Sequence, residues 1–294
     1  LENSIHSCII NNKIFNIYII IITLIYIMKI LSWNILAHEF IEPKYYPMVK
    51  STLLTERQQR IVNILNKLIE YNADIVLLQE VMKREYKLIK KIFSKKYFIS
   101  KLYPIYWEED TEEERKETNS NLKRKEADSN LSESGNLTLV KKKITSTIKF
   151  SKFSKEMPFV VARFIYKKKE LLITNVHLDA VIQRNRLRQI KEIVKNISAY
   201  KYVIIGGDFN EEYSHSNKLY SYMKSKIFTP SITDKTTYFI EKSMIIDNIM
   251  YKNFKFIKSQ VHNNCGKRTT ANINCQFKRY GSDHFPIISY IEIS

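Results

Sequence analysis

The sequence predicts a mixed α/β protein in which two sheets pack on each other and helices cover them. Short continuous runs rich in branched residues, at 29–33, 75–78, 171–174, 203–205 and 244–246, read as buried strands. Two other stretches have the helical period instead: Ile61, Ile64, Leu65, Leu68 and Ile69, and later Leu187, Ile190, Val194 and Ile197. The strand-rich segments also fall into two similar halves, which suits two packed sheets flanked by helices.

The elements follow in order. After the strand at 29–33 comes a loop with Pro43 and Pro47, and Thr55 to Gln58 offers a capping box for the first helix. Asn72 hands that helix over to the strand leading to Glu80. Residues 108–133 are rich in Glu, Lys, Asn and Ser and poor in large apolar side chains. Such a segment buries too little to offset its ordering entropy, so it reads as a mobile surface insertion. Strands are expected at 137–140, 144–150, 159–166 and 171–175, ahead of the second helix and the strand reaching Asp208. A hairpin at 236–239 and 244–251 turns around Glu241 and Lys242, and 285–293 supplies the last strand.

With 294 residues, 44% of them hydrophobic and 27% charged, the chain can bury one substantial core, and 28–294 reads as one domain. A net charge of +18 favours polyanionic partners. An AT-rich coding sequence would also enrich Lys, Asn, Ile, Tyr and Phe, so the charge does not say which polyanion. Cysteines at 8, 265 and 275 give no disulfide framework, which points to a reducing compartment, the cytoplasm with the nucleus as alternative. His262, Cys265 and Cys275 lack the paired spacing of a zinc site. Residues 14–27 are almost wholly apolar, yet fewer than the roughly 20 of a spanning helix, and no small-residue cleavage site follows. Residues 1–27 therefore read as a leader or non-native extension ahead of Met28, with an apolar anchor as the alternative. A monomer without stable membrane insertion is expected.

The chemistry sits where these runs end. Ser32-Trp33-Asn34, Leu78-Gln79-Glu80, Val176-His177-Leu178, Gly206-Gly207-Asp208-Phe209-Asn210, Ile246-Asp247-Asn248 and Gly281-Ser282-Asp283-His284 each place a carboxylate, amide or imidazole at or just beyond an apolar run. Within such a run a carboxylate would pay a large desolvation cost, so it belongs at a strand end or in a pair. Repetition of that placement predicts one shared cleft suited to holding a divalent metal against a phosphate.

In this order the motifs resemble the endonuclease/exonuclease/phosphatase superfamily, from about Lys29 to the C-terminus. The resemblance implies a four-layer α/β/β/α sandwich of two packed mixed sheets flanked by helices, and phosphodiester hydrolysis with magnesium, or manganese as the alternative hard cation. Glu80 is expected as a metal ligand with Asn34 beside it, and Asp283 contributes through water. Asp208 is expected to orient or deprotonate the attacking water, with Asn210 donating to a phosphate oxygen. The Gly-Gly before Asp208 is expected to let the backbone turn sharply and approach substrate. Asp247 fixes the tautomer of His284, whose other nitrogen faces the phosphate, and His177 acts from the opposite side.

The text around Asn34 to Ala37, Ala73 to Glu80 and Thr236-Thr237-Tyr238 is similar to the nocturnin-like deadenylase and 2′-phosphodiesterase group. That implies single-stranded RNA, favoured over DNA, gripped by stacking on Tyr238 or Phe239. Asn136 stands at a substrate-facing position where the group usually has a small residue, and Asn248 replaces an aromatic. A DNA-directed endonuclease, a tyrosyl-DNA phosphodiesterase and a phosphoinositide or sphingomyelin hydrolase remain alternatives.

Overall fold

The computed structural model describes residues 27–104, 134–153, 159–238, 240 and 242–293. Residues 1–26, 105–133 with the whole charged insertion, 154–158, Phe239, Glu241 and Ser294 lie outside the described residues. The first sheet contains β1 (Ile27–Asn34), β2 (Ile75–Met82), β3 (Tyr97–Ile99), β4 (Tyr103–Pro104), β5 (Ser134–Lys141), β12 (Phe254–Val261) and β13 (Ile287–Ile293). Its order is β12-β13-β1-β2-β5-β3, with β4 also on β5. The second contains β6 (Ile148–Lys152), β7 (Val160–Tyr166), β8 (Lys169–His177), β9 (Tyr202–Asp208), β10 (Thr229–Pro230) and β11 (Asp247–Lys252), ordered β10-β11-β9-β8-β7-β6. Both sheets are mixed, with β1 parallel to β2 and β8 parallel to β9.

The helices are α1 (Ser51–Thr55), α2 (Arg57–Tyr71), α3 (Lys83–Phe93), α4 (Gln183–Ile197), α5 (Lys218–Ser225) and α6 (Thr270–Tyr280). Ile61, Ile64 and Leu68 of α2, Ile89 of α3 and Ile273 and Phe277 of α6 join the core around the first sheet. Ile190, Ile193 and Val194 of α4 and Leu219 and Met223 of α5 form a second core outside the other sheet. Strand alternation divides β9 between these cores: Val203 and Ile205 face α4 and α5, and Ile204 faces the first sheet. The four-layer α/β/β/α sandwich is therefore present. Among the described residues no helix is long and apolar enough to cross a membrane.

Several local expectations need correction. The capping box does not form. Thr55 ends α1 and its hydroxyl donates back to Ser51 O at 3.1 Å, while α2 has Glu56 as its N-cap with no side-chain cap bond. The two helices split there, so the hydroxyl is used by the turn behind it. Asn72 does close α2, in the left-handed conformation at φ 44°, donating to Leu68 O. The strand expected at 144–150 begins only at Ile148. The hairpin is reduced to a Tyr238–Met244 bridge before β11. Cys265 and Cys275, read as unpaired, form a disulfide with Cα atoms 5.8 Å apart. Their linear spacing carries no such signal; the loop after β12 folds back over α6 and brings them together.

Candidate active site

Strand parity delivers the reactive side chains to one place. Along β8 the inward positions are Leu171, Ile173, Asn175 and then His177, and along β9 they are Ile204, Gly206 and then Asp208. Register aligns their ends: His177 pairs with Asp208 across β8–β9, and Asp247 pairs with Asp208 across β11–β9. Opposite them, Asn34 ends β1 beside Gln79 of β2. The inter-sheet space thus passes from aliphatic core into a polar cleft at one end.

Glu80 departs from the expected strand end, because β2 continues to Met82. A bulge between Leu78 and Val81, with Glu80 at φ 57°, re-aims its carboxylate instead. Asn34 Nδ2 donates to Glu80 Oε1 at 2.7 Å and to Asp208 Oδ2 at 3.0 Å, tying the two sheets together. Ala37 N donates to Glu80 Oε2 at 2.9 Å, and Leu36 N to Asn34 Oδ1 at 3.0 Å. His177 Nε2 lies 3.9 Å from Glu80 Oε1 and 3.8 Å from Asp208 Oδ2. His284 Nδ1 is 2.8 Å from Asp247 Oδ2, and its Nε2 is 3.7 Å from Asp208 Oδ2 and 3.9 Å from Asp283 Oδ1.

Asn210 turns at φ 48°; its backbone N–H donates to Asp208 Oδ1 at 2.8 Å and its side chain to Leu178 O at 3.0 Å. The Tyr238 ring lies 5.0 Å from that of His284. Asn136 is fully buried in β5, across the bulge from Gln79 and Glu80, and neither polar atom of its side chain has a hydrogen-bond partner.

The Gly-Gly pair does not turn toward substrate as expected. Both residues lie within β9, and a Cβ on Gly206 would meet Leu77 Cδ1 of the other sheet at 2.6 Å. Gly207 is at φ 150°, where a Cβ would fall 1.9 Å from Val176 O. The pair serves close sheet packing beneath Asp208.

Residues 31–284 match the endonuclease/exonuclease/phosphatase family. The chain belongs to this family. It is therefore an enzyme that hydrolyses phosphodiester bonds. No curated protein matches the chain. Among solved structures, ANGEL2, a 2′,3′-cyclic phosphatase, is similar at 14% identity and TM-score 0.67, over 90% of this chain and 95% of that one. An endonuclease/exonuclease/phosphatase from Bacteroides vulgatus aligns at 14% identity and TM-score 0.63, over 91% and 99%. The human nocturnin catalytic domain does so at 16% and 0.59, over 91% and 94%.

The electrostatics of this endonuclease/exonuclease/phosphatase cleft fit a divalent cation. Burial raises the pKa of Glu80, and the charge of Asp283 adds to that, against the opposing effects of His177, Asn34 and Ala37. Asp247 is pushed up to about 6, again chiefly by burial. Burial by itself would lower the pKa of His284, but Asp247, Asp208 and Asp283 together hold it well above the ordinary range. Single donor atoms of Asp208, Asp247 and His284 lie within 4.8 Å of one another, and Asp247 Oδ1 is buried with no hydrogen-bond partner. The crowded carboxylates, one of them with an unsatisfied oxygen, suit a hard divalent cation.

Sequence reasoning overlooked the side chains that hold this set. Arg60 is buried and donates to Gly281 O at 2.7 Å and Leu36 O at 2.6 Å, fastening the loops that carry Asn34 and Asp283. Tyr46 donates to Asp283 Oδ2 at 3.1 Å, and Thr237 Oγ1 accepts from Asp247 N at 3.1 Å. Arg60 was visible as a lone cation on the apolar side of α2. Tyr46 carried no local signal, and Thr237 lay within the Thr-Thr-Tyr stretch without any sign that it would hold Asp247.

Proposed function

We propose that the chain is a magnesium-dependent nuclease acting on RNA 3′ ends, poly(A) among them. The observation that carries this is the convergence of Asn34, Glu80, His177, Asp208, Asp247, Asp283 and His284 on one cleft, with the Tyr238 ring against His284. Glu80 and Asp283 would hold the ion, with Asn34 fixing Glu80. When bound, the ion neutralises phosphoryl oxygens and makes water more acidic.

Asp208 orients the attacking water and takes its proton. His284, kept protonated by Asp247, presents Nε2–H to a phosphoryl oxygen, and His177 presents its Nε2 from the opposite side. Asn210 offers the second hydrogen of its side-chain amide to a phosphoryl oxygen, and Tyr238, with Phe239 beside it in sequence, stacks on a terminal base; Asn136, expected to face substrate, is fully buried in β5 and has no part in this. The aromatic ring of Tyr238 beside His284 favours a nucleotide ester over a lipid headgroup.

The test incubates the purified chain and magnesium with labelled poly(A) RNA, an RNA ending in a 2′,3′-cyclic phosphate, abasic duplex DNA, a 5′-tyrosyl oligonucleotide and soluble inositol phosphates. Shortening of poly(A) from its 3′ end, abolished by EDTA and by Glu80→Gln, is expected. Preferential turnover of the DNA or inositol substrates would overturn the RNA assignment, and full activity of Glu80→Gln would overturn the metal assignment.

A further inference from the structure

Two loops carry much of the second sheet's share of the cleft. One leaves β8 as His177-Leu178-Asp179, and the other leaves β9 as Asp208-Phe209-Asn210-Glu211. Their near ends touch directly, with Leu178 N donating to Asp208 O at 2.9 Å and the Asn210 side chain to Leu178 O at 3.0 Å. Their far ends meet on a single side chain. Arg186, near the start of α4, donates from Nη1 to Asp179 O at 3.0 Å and from Nε to Glu211 Oε2 at 2.6 Å. One planar fork thus ties a residue just beyond His177 to the residue next to Asn210.

Neighbouring bonds hold that fork in place. Asn185 Nδ2 donates to Asp179 Oδ2 at 3.3 Å, and Gln189 Oε1, from the same helix face, accepts from Asp179 N at 3.0 Å. Asp179 Oδ1 accepts from Val181 N at 2.8 Å and Ile182 N at 2.7 Å, which shapes the turn into α4. Glu211 accepts from Gln183 at 2.7 Å and from Asn217.

Arg186, Glu211 and Asp179 are all buried. A buried ion pair adds little net stability over apolar side chains of similar volume, because desolvation offsets most of the attraction. What this pair supplies is geometry. Its bonds run to Asp179 and Glu211, behind the reactive side chains. The first sheet repeats the device, since Arg60 of α2 is buried and donates to Leu36 O and Gly281 O, behind Asn34 and Asp283.

We propose that Arg186 is a positioning residue for phosphodiester cleavage, fixing where His177 and Asp208 stand relative to the scissile phosphate. A displacement of about 1 Å in such groups costs on the order of a hundredfold in rate while most substrate contacts survive. The effect therefore belongs in kcat. This role depends on those given to His177 and Asp208, and it holds for any phosphodiester substrate, RNA or not.

Steady-state kinetics on bis(p-nitrophenyl) phosphate with saturating magnesium test this, at a temperature where circular dichroism shows each variant folded. Arg186→Lys keeps a charge beside Glu211 but has no planar fork to span both loops. Its kcat should fall by about tenfold to a hundredfold, with KM within about twofold of the unmodified chain. Arg186→Gln combined with Glu211→Gln removes both buried charges and leaves neither uncompensated, so it decides the matter even if Arg186→Lys does not fold. The same split is expected there. A merely structural role would lower the melting midpoint and leave kcat intact in the folded protein. Such a result, or a rise in KM that matches the loss in kcat, would overturn the proposal. Asp208→Asn, run alongside, should lose more than either variant. If it keeps full turnover, the cleft assignment fails and the proposal with it; loss there with none in the Arg186 variants overturns the proposal alone.

Discussion

His284 owes its character to neighbours that are remote in sequence. Asp247 reaches it from β11, Asp208 from β9, and Tyr238 covers its ring. Replacing His284 with Gln, or Asp247 with Asn, should lower kcat by about a hundredfold to ten-thousandfold. KM should move far less, as steady-state kinetics on a small diester would show; equal loss in KM would place the pair in ground-state binding. Tyr238→Ala should weaken RNA turnover and spare the small diester, whereas parallel losses on both would count against stacking. The sequence displayed His284, Asp247 and Asp208 because each is polar at the margin of an apolar run, and Tyr238 through the resemblance of its Thr-Thr-Tyr text to a known group. It could not display Tyr46 or Arg60 as members of the site, since their partners, Asp283 and the carbonyls of Leu36 and Gly281, come from distant loops.

At the scale of elements, β9 shows how a short motif serves packing. Gly206→Ala would press a methyl on a terminal Leu77 methyl, which has some room to yield, and should cost about 1–3 kcal/mol. Gly207→Ala meets the Val176 backbone and should cost more, so urea midpoints should fall in that order. Beneath the cleft, Asn175 accepts from Gln79 at 2.7 Å and donates to Leu78 O and Leu137 O at 3.0 Å, bridging the sheets. Near the C-terminus of α2, His262 packs on Tyr71 with ring centroids 4.7 Å apart, and burial, then Lys29, lowers its pKa below the ordinary 6.5. Unfolding restores ordinary proton affinity, so between the lowered value and 6.5 the unfolded chain binds more protons. This stability is present above pH 6.5 and declines as the pH falls through that value toward the folded pKa. Thermal melts from pH 7.5 down to about 5.5 should show a shallower decline in His262→Gln than in the unmodified chain. Helix α6 went unread because its apolar positions, Ile273, Gln276 and Phe277, include a buried amide that breaks the pattern. Its Thr269 cap and the left-handed Gly281 were the only local marks.

Across the whole molecule, a charge of +18 should make turnover of RNA fall steeply with salt while a small diester is barely affected. Matching salt slopes for the two substrates would show that the charge does not steer substrate. By itself the sequence determined a mixed α and β protein, since strand and helix periods and apolar runs are local properties of the chain, while the four-layer architecture was implied by the resemblance of its motifs to a known family. It also determined the identity of the reactive groups, since polar side chains at the ends of buried strands stand out against their surroundings. Tertiary structure alone decided the bulge that aims Glu80, the Asn34 link to Asp208 and the Cys265–Cys275 pairing. Each depends on register and on contacts between segments far apart in the chain, where close packing selects one geometry and local propensity is silent.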